Sequence, residues 1–367
     1  MLVIALIAGI AGGLLSYFLF KASFRELLEN SGRPSVTINT VESFVSGGGG
    51  EVSAAYGTIY EQVAAQASLS VVEVVTESRI THPIFGSFVT GGAGSGVIIS
   101  DDGYIVTNNH VISGSSSILV RTHEGLEFDA RLVGTDVRTD LALIKIEAQY
   151  LHPAVFAESD RVRSGQPVMA IGNPLGNLGG TVTDGIISAR DREILIEGEY
   201  MALLQTSAAI NPGNSGGGLF DLNGSLVGVV NAKSSGNDIE GLGFAIPADT
   251  VKAVITQLIE HGYVTGRPAL GVGVTEIRSR SALYMYRLRE AGVYVTSAEG
   301  PAELKKWDRI VSIGGTAVNS AADVKKIVGR HAVGESLDVQ VRRNGRTMDI
   351  TVMLEEDVPG QVSGESV

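Results

Sequence analysis

The run Asn211-Pro212-Gly213-Asn214-Ser215-Gly216-Gly217-Gly218 is the stretch on which the reading of this chain turns. A serine set among glycines on a tight turn presents an exposed hydroxyl, and its small neighbours let backbone N–H groups converge beside it. A nucleophile and an oxyanion hole can share one such loop. Taken alone, the run is more readily a glycine-rich surface turn, so the decision comes from the rest of the chain.

A serine hydroxyl is a poor nucleophile until a base takes its proton, and an imidazole base works best when a carboxylate fixes its tautomer. Thr107-Asn108-Asn109-His110-Val111 follows an apolar run, and Thr139-Asp140-Leu141-Ala142-Leu143 begins one. Singly, His110 reads as a turn or core histidine and Asp140 as a solvated or capping carboxylate. The order His, Asp, Ser with these spacings is that of a chymotrypsin-like double β-barrel, in which the first barrel carries the base and acid and the second the serine.

The surrounding pattern agrees with barrels. Short apolar runs separated by turns lie at Ser70 to Thr76, Ser95 to Ser100, Tyr104 to Thr107, Ile118 to Thr122, Leu126 to Gly134 and Leu141 to Ile146. They continue at Val168 to Gly172, Val182 to Ala189, Leu203 to Thr206, Leu226 to Asn231 and Gly243 to Ile246. Asp101-Asp102-Gly103 marks a hairpin. Spacing of this kind predicts a mainly β fold rather than alternating βαβ units. The first long helical pattern falls only at Ala248 to His261, with Asp249 placed to cap it and Gly262 to stop it. After Pro268 comes a smaller α+β region: strands at Leu270 to Thr275, Val293 to Thr296, Arg309 to Ile313, Ser336 to Arg342 and Thr347 to Leu354, and helices at Ser281 to Glu290 and Ala321 to Val328.

Composition sets bounds. A chain of 367 residues with 44% hydrophobic residues and 47 glycines exceeds one ordinary core and is turn-rich, which predicts two domains plus appendages. A formal charge of −12, without clustered Lys and Arg, excludes a nucleic-acid partner. There is no cysteine, and the six histidines lack the paired spacing of a zinc site, so no disulfide, metal or cofactor is expected.

Leu2 to Phe20 carries no charge and is long enough to span a bilayer as a helix. It reads as a transmembrane anchor at residues 1–22, with a signal peptide or a buried helix as the alternatives. Lys21 and Arg25 follow the span, and a strict positive-inside reading places the following domain in the cytoplasm; Glu26 and Glu29 leave the orientation open. Residues 23–55, ending in Gly47-Gly48-Gly49-Gly50, read as a flexible linker. Residues 56–264 form the first domain, 265–356 the second, and 357–367 an acidic tail expected to be disordered.

Five ordered motifs resemble the HtrA/Deg family of serine proteases. They are TNNHVI at Thr107 to Ile112, TDLALIKI at Thr139 to Ile146, AIGNPLG at Ala170 to Gly176, QTSAAINPGNSGG at Gln205 to Gly217 and GLGFAIP at Gly241 to Pro247, within a match from about Tyr56 to Leu354. The resemblance implies a membrane-anchored, trypsin-like protease domain followed by a single PDZ domain, with His110 as general base, Asp140 as its orienting carboxylate and Ser215 as nucleophile. It implies an oxyanion hole from the backbone N–H groups of Gly213 and Ser215. It also implies a small apolar specificity pocket at Ala209 and Ile210, and activation and specificity loops at Leu175 to Asp184 and Ala232 to Glu240. In the PDZ domain it assigns Leu270, Gly271 and Val272 to the loop that holds a peptide carboxylate. Here Ala269 replaces the usual aromatic, and Trp307 stands where a Gly is usual. Elsewhere Ser207 takes a common Asp position and Gly218 a common Pro.

The function these features imply is cleavage of misfolded or regulatory proteins after small apolar residues, outside the cytoplasm, in envelope stress response or protein quality control. The partners implied are unfolded or regulatory substrates, C-terminal peptides at the PDZ domain, the membrane, and two further copies in a homotrimer. A non-proteolytic chaperone or scaffold is the rival reading, and it gives no reason for His, Asp and Ser in this order. A lipase or esterase is third, because the serine run shows no strand-to-helix elbow and no alternating helices accompany the strands.

Overall fold

The structure, a computed structural model, describes residues 58–82, 86–173, 180–196, 198–211, 213–232, 242–298 and 303–358. All of them belong to the second of the chain's two compact units, Ile38–Val367. The expected anchor at 1–22 and linker at 23–55 lie outside the described residues, as do most of the two expected loops and residues 359–367 of the tail. Among the described residues no helix is long and apolar enough to cross a membrane.

The first six strands close into a barrel: β1 (Val71–His82), β2 (Gly86–Ile98), β3 (Tyr104–Asn108), β4 (Ser117–Arg121), β5 (Glu127–Asp136) and β6 (Leu141–Ile146), in the order β1-β2-β3-β6-β5-β4. All of β3 and β6 is buried. Alternation explains this: Ala142, Ile144 and Ile146 join the barrel core with Val72, Val74, Ile98, Ile105 and Val120, while Leu141 and Leu143 are buried between them in the sequence. Asp101-Asp102-Gly103 does close a hairpin, since Val97 pairs with Val106 and Ile98 with Ile105.

The second barrel is a seven-stranded sheet of β7 (Val155–Phe156), β8 (Pro167–Gly172), β9 (Thr181–Ile196), β10 (Glu199–Thr206), β11 (Gly218–Asp221), β12 (Ser225–Val230) and β13 (Gly243–Pro247). Its order is β11-β8-β9-β10-β13-β12-β7, and a further β11–β12 pairing closes it. Val168, Ala170, Ile187, Leu204, Leu219, Val227, Val230 and Ala245 fill its core. Strand β9 runs on to Ile196 rather than ending at Ala189, because Arg192 to Ile196 pair with the start of β10 as a mostly exposed ribbon. The charges Asp191, Arg192 and Glu193 hide this strand from a search for apolar runs.

Two helical expectations need correction. Helix α1 (Ile59–Ser68) precedes the first barrel, so Ala248 to His261 is not the first helix. A capping box between Thr58 and Glu61 starts α1, and Val63 and Ala67 bury one face. After the four-residue α2 (Asn109–Ile112), helix α3 (Ala248–His261) has the expected bounds and stops at Gly262, whose φ of 80° suits a residue without Cβ. Its N-cap is Pro247, with no side-chain cap; Asp249 sits in the first turn and pairs with Lys252 instead.

The PDZ-like region holds β14 (Pro268–Ala269), β15 (Val272–Ile277), β16 (Gly292–Ala298), β17 (Arg309–Ile313), β18 (Thr316–Ala317), β19 (Ser336–Arg343), β20 (Arg346–Met353) and β21 (Glu355–Glu356), with α4 (Arg280–Met285) and α5 (Ala321–Val328). The main sheet runs β15-β16-β17-β19-β20, leaving β15 at an edge. Helix α4 ends before the expected Glu290, because Arg287 turns left-handed at φ 55°. Glu355 and Glu356 pair with Ala269 and Pro268, and the Asp357 N–H donates to the Arg267 carbonyl.

Charged side chains join this region to the barrels. The Arg267 guanidinium grips the buried Asp136 carboxylate, with its second nitrogen at 2.6 Å. Arg138 donates to Asp357 at 2.9 Å and to the Pro268 carbonyl at 3.3 Å. On α5, Lys325 pairs with Glu199, and Lys326 pairs with Glu193 at 2.9 Å while lying 4.0 Å from the Tyr200 ring centre.

Candidate active site

His110 stands at the end of β3 on α2, Asp140 in the turn between β5 and β6, and Ser215 in the turn before β11. These three residues, 105 positions apart at the extremes, meet in one hydrogen-bonded line. His110 Nδ1 lies 2.6 Å from Asp140 Oδ2, and His110 Nε2 lies 2.6 Å from Ser215 Oγ. With the carboxylate accepting from Nδ1–H, the lone pair of Nε2 faces the serine hydroxyl.

Asp140 is held on every side. Its φ of 54° is unusual for a residue with a Cβ, and the fold compensates through the groups around it. The carbonyl accepts from the Asn109 N–H at 2.9 Å and from Asn108 Nδ2 at 3.0 Å. Oδ1 takes the His110 N–H at 2.9 Å, and Oδ2 takes Asn231 Nδ2 at 3.1 Å as well as the imidazole. Such full use of the acceptors suits a side chain only 9% exposed.

The serine turn is shaped by its main chain. The Ser215 carbonyl accepts from the Ser95 N–H at 2.8 Å, and Ser95 Oγ donates to the Gly213 carbonyl at 2.6 Å. Gly216 has φ 82°, and a Cβ there would collide with the Ser95 carbonyl and with Thr107 Oγ1. Gly213 has φ 103°. Among the described residues the N–H groups of Gly213 and Ser215 donate to nothing within the chain, which leaves both available to an outside acceptor.

Sequence reading singled out the three polar side chains but gave no role to Asn108, Asn231 or Ser95. Asn108 Oδ1 lies 3.0 Å from Ser215 Oγ and competes with the imidazole for its single hydrogen; the shorter distance favours His110. Asn108 sits inside the motif around His110, so its position was visible there. Ser95 and Asn231 lie far from the motif and carried no signal.

The specificity positions separate. Ala209 is exposed, and its carbonyl accepts from Thr183 Oγ1 at 2.8 Å. Ile210 is half-buried, packs on the core of the second barrel and crowds Gly243. In the PDZ-like region Leu270 is buried in the core, Gly271 turns left-handed at φ 67°, and Val272 opens β15. A Cβ on Gly271 would lie 2.8 Å from Glu355 Oε2.

Two closed barrels with a Ser, His and Asp line between them define a trypsin-like serine peptidase fold, here followed by a PDZ-like sheet. The model of the trypsin-like peptidase domain matches residues 94–229, and that of the PDZ domain matches residues 268–354. The serine protease Do-like HtrA of Lactobacillus helveticus is 34% identical over 394 residues, covering 96% of this chain and 94% of that protein. The periplasmic serine endoprotease DegP of Escherichia coli strain K12 is 41% identical over 75% of this chain, which spans 59% of DegP. A solved structure described as the HtrA-type protease AlgW with a decapeptide is 34% identical, with a TM-score of 0.56 over 82% of this chain and 99% of that one. The chain belongs to the HtrA/DegP family of serine endoproteases.

Proposed function

We propose that Ser215, His110 and Asp140 perform the peptide cleavage. The observation that carries this is the pair of 2.6 Å contacts that joins the three side chains in line. Ser215 Oγ attacks the scissile carbonyl carbon while its proton passes to His110 Nε2, and Asp140 balances the imidazolium. The N–H groups of Gly213 and Ser215 meet the oxyanion, and loss of one such donor costs about a hundred- to a thousandfold in rate. The imidazolium then protonates the leaving amine, an acyl ester remains on Ser215, and a water deprotonated by His110 releases the new carboxylate.

A fluorophosphonate probe should label the wild type and leave Ser215→Ala unlabelled. Cleavage of casein by that variant should fall by at least about ten-thousandfold with the circular dichroism unchanged. Undiminished hydrolysis would overturn the assignment of the nucleophile.

The finer reading goes with this chemistry. The exposed Ala209 beside the half-buried Ile210 offers no charge to a substrate side chain, which supports cleavage after small apolar residues. Edge strand β15, entered from Leu270-Gly271-Val272, supports capture of a peptide C-terminus by strand addition. The uncharged run at Leu2 to Phe20 supports a single-pass anchor. Relatives described as periplasmic favour an extracytoplasmic site of action over the orientation that Lys21 and Arg25 alone would give. A homotrimer acting on misfolded or regulatory proteins in envelope stress completes the proposal.

A further inference from the structure

In a chain whose formal charge is −12, one face of the PDZ domain is basic and aromatic. Arg280, Arg287, Arg289, Lys305 and Lys306 are all exposed. Among the described residues none of the five side chains meets a carboxylate. The neighbouring arginines behave differently: Arg278 pairs with Glu276, Arg309 and Arg342 share Glu290, and Arg343 is held by the buried Asp308. Glu276, Glu290 and Asp308 are thus taken up by arginines outside the group of five, and the exposed Glu303 is the one described acid beside Lys305 and Lys306 without an ion pair.

Aromatic and apolar side chains lie among these cations. Tyr284 is 89% exposed and Met285 70% exposed at the end of α4. Tyr286, next in sequence, stacks on Trp307 with ring centres 5.0 Å apart, which joins the segment after α4 to the turn before β17. Lys306 Nζ lies 5.6 Å from the Trp307 ring centre. Both turns are fixed by main-chain bonds: Trp307 N–H donates to the Val295 carbonyl at 2.8 Å, and Leu288 N–H to the Leu283 carbonyl at 2.8 Å. The patch is a built surface of the domain.

We propose that this face docks on the surface of an anionic lipid bilayer. Tyr and Trp set among Lys and Arg is the composition favoured at the membrane–water boundary, where a ring can sit at headgroup depth while cations reach phosphates. Tyr284 and Met285 supply apolar surface to enter that zone. A folded protein partner fits less well, because charged residues are depleted at the centre of protein interfaces and five of them would need matched acids. Lipid headgroups meet each cation without fixed geometry. The proposed N-terminal anchor would keep this face near a bilayer, but docking rests on the patch and stands or falls separately from the anchor.

The chain's single tryptophan, Trp307, makes the test direct. The full-length chain, carrying Ser215→Ala to prevent self-cleavage, is mixed with or reconstituted into vesicles of phosphatidylcholine alone or with phosphatidylglycerol. Tryptophan emission is recorded, together with quenching by lipids brominated on their acyl chains. Docking predicts a blue shift and quenching only in the anionic vesicles, both weakened by salt. Lys305→Glu with Lys306→Glu should reduce this partitioning by at least about tenfold, and Tyr284→Ser with Met285→Ser should reduce it without altering the salt dependence. Casein cleavage by the same pairs of substitutions in the active chain serves as the folding control. Unchanged emission in anionic vesicles, an equal response in zwitterionic ones, or indifference to the charge reversal overturns the proposal. A shift produced by unfolded casein and not by lipid would make the face a polypeptide-binding surface instead. Flotation with anionic vesicles while Trp307 stays unshifted would support the anchor and leave docking refuted.

Discussion

The two walls of the proposed catalytic cleft are built on different principles. On the first-barrel side, side-chain hydrogen bonds do the positioning: Asp140 uses its carbonyl and both carboxylate oxygens, and the turn leading to it is pinned where Asp136 accepts from Arg267, Thr139 and the Arg138 N–H. On the second-barrel side, main-chain shape does the work. Gly216 N–H reaches the Val230 carbonyl and Gly217 N–H the Asn214 carbonyl, yet the buried atoms Asn214 Nδ2 and Asn173 Oδ1 have no partner among the described residues. His110 and Asp140 are therefore sensitive to loss of a polar atom, and the Ser215 loop to gain of a carbon.

The largest expected break on the first wall is Asp140→Asn. An amide cannot hold the imidazole in the tautomer that leaves Nε2 free, and the rate should fall by about ten-thousandfold with the fold retained. Turnover of casein and the near-ultraviolet spectrum read the two halves of that statement. If activity stayed within tenfold of wild type, the carboxylate would not orient the base.

On the second wall the corresponding change is Gly216→Ala. It adds one methyl where φ is 82° and where the Ser95 carbonyl and Thr107 Oγ1 already occupy the space. Both the backbone penalty and the collision act, so stability should drop by about 3 kcal/mol, with fluorophosphonate labelling slowed at least about a hundredfold as the oxyanion donors shift. A tolerated alanine would show that the loop relaxes freely, and the contrast between the walls would collapse.

Asp136→Asn probes the support behind the first wall. The carboxylate is 5% exposed and the Arg267 side chain 20%, so the change leaves a partly buried guanidinium without its acid. The expected loss is about 2 to 3 kcal/mol, below the figure for a fully buried pair because water still reaches Arg267. Urea unfolding measures it. Recovery in Asp136→Asn with Arg267→Gln would sharpen the assignment to the pair itself.

The contrast between walls also explains what could be read from the sequence. Side-chain chemistry leaves letters: His110, Asp140 and Ser215 stood in ordered motifs, and β6 and α3 had their observed bounds because burial imposes period on apolar residues. The Asn108 and Asn231 contacts to Asp140 depend on tertiary closure of two barrels, which no local pattern encodes. Helix α1 is legible through Thr58 and Glu61, yet its apolar face is short and the sequence reading assigns no element there. The extension of β9 through Asp191, Arg192 and Glu193 was hidden because an exposed ribbon needs no apolar period. For the second wall, glycines signal permitted conformations without saying which one is adopted.

The smallest effect lies far from the cleft, at the start of α3, and tests whether single side-chain bonds matter equally outside the site. Burial raises the Asp249 carboxyl, but hydrogen bonds from Lys252 and Ser159 outweigh it and hold it below its ordinary value of 3.8. A carboxyl that ionises more readily when folded adds stability above its unfolded value and loses it as pH falls through the lower folded value. Asp249→Asn should therefore cost less than about 1 kcal/mol at neutral pH, since the side chain is more than half exposed and solvent screens the Lys252 pair. The gap between wild type and variant should close in acid, read as urea midpoints converging below pH 3.8. A gap that persisted there would assign the stabilisation to shape and hydrogen bonding rather than to charge. A gap as large as that of Asp136→Asn would show that polar atoms are equally critical across the molecule, so that the first wall of the cleft is not special.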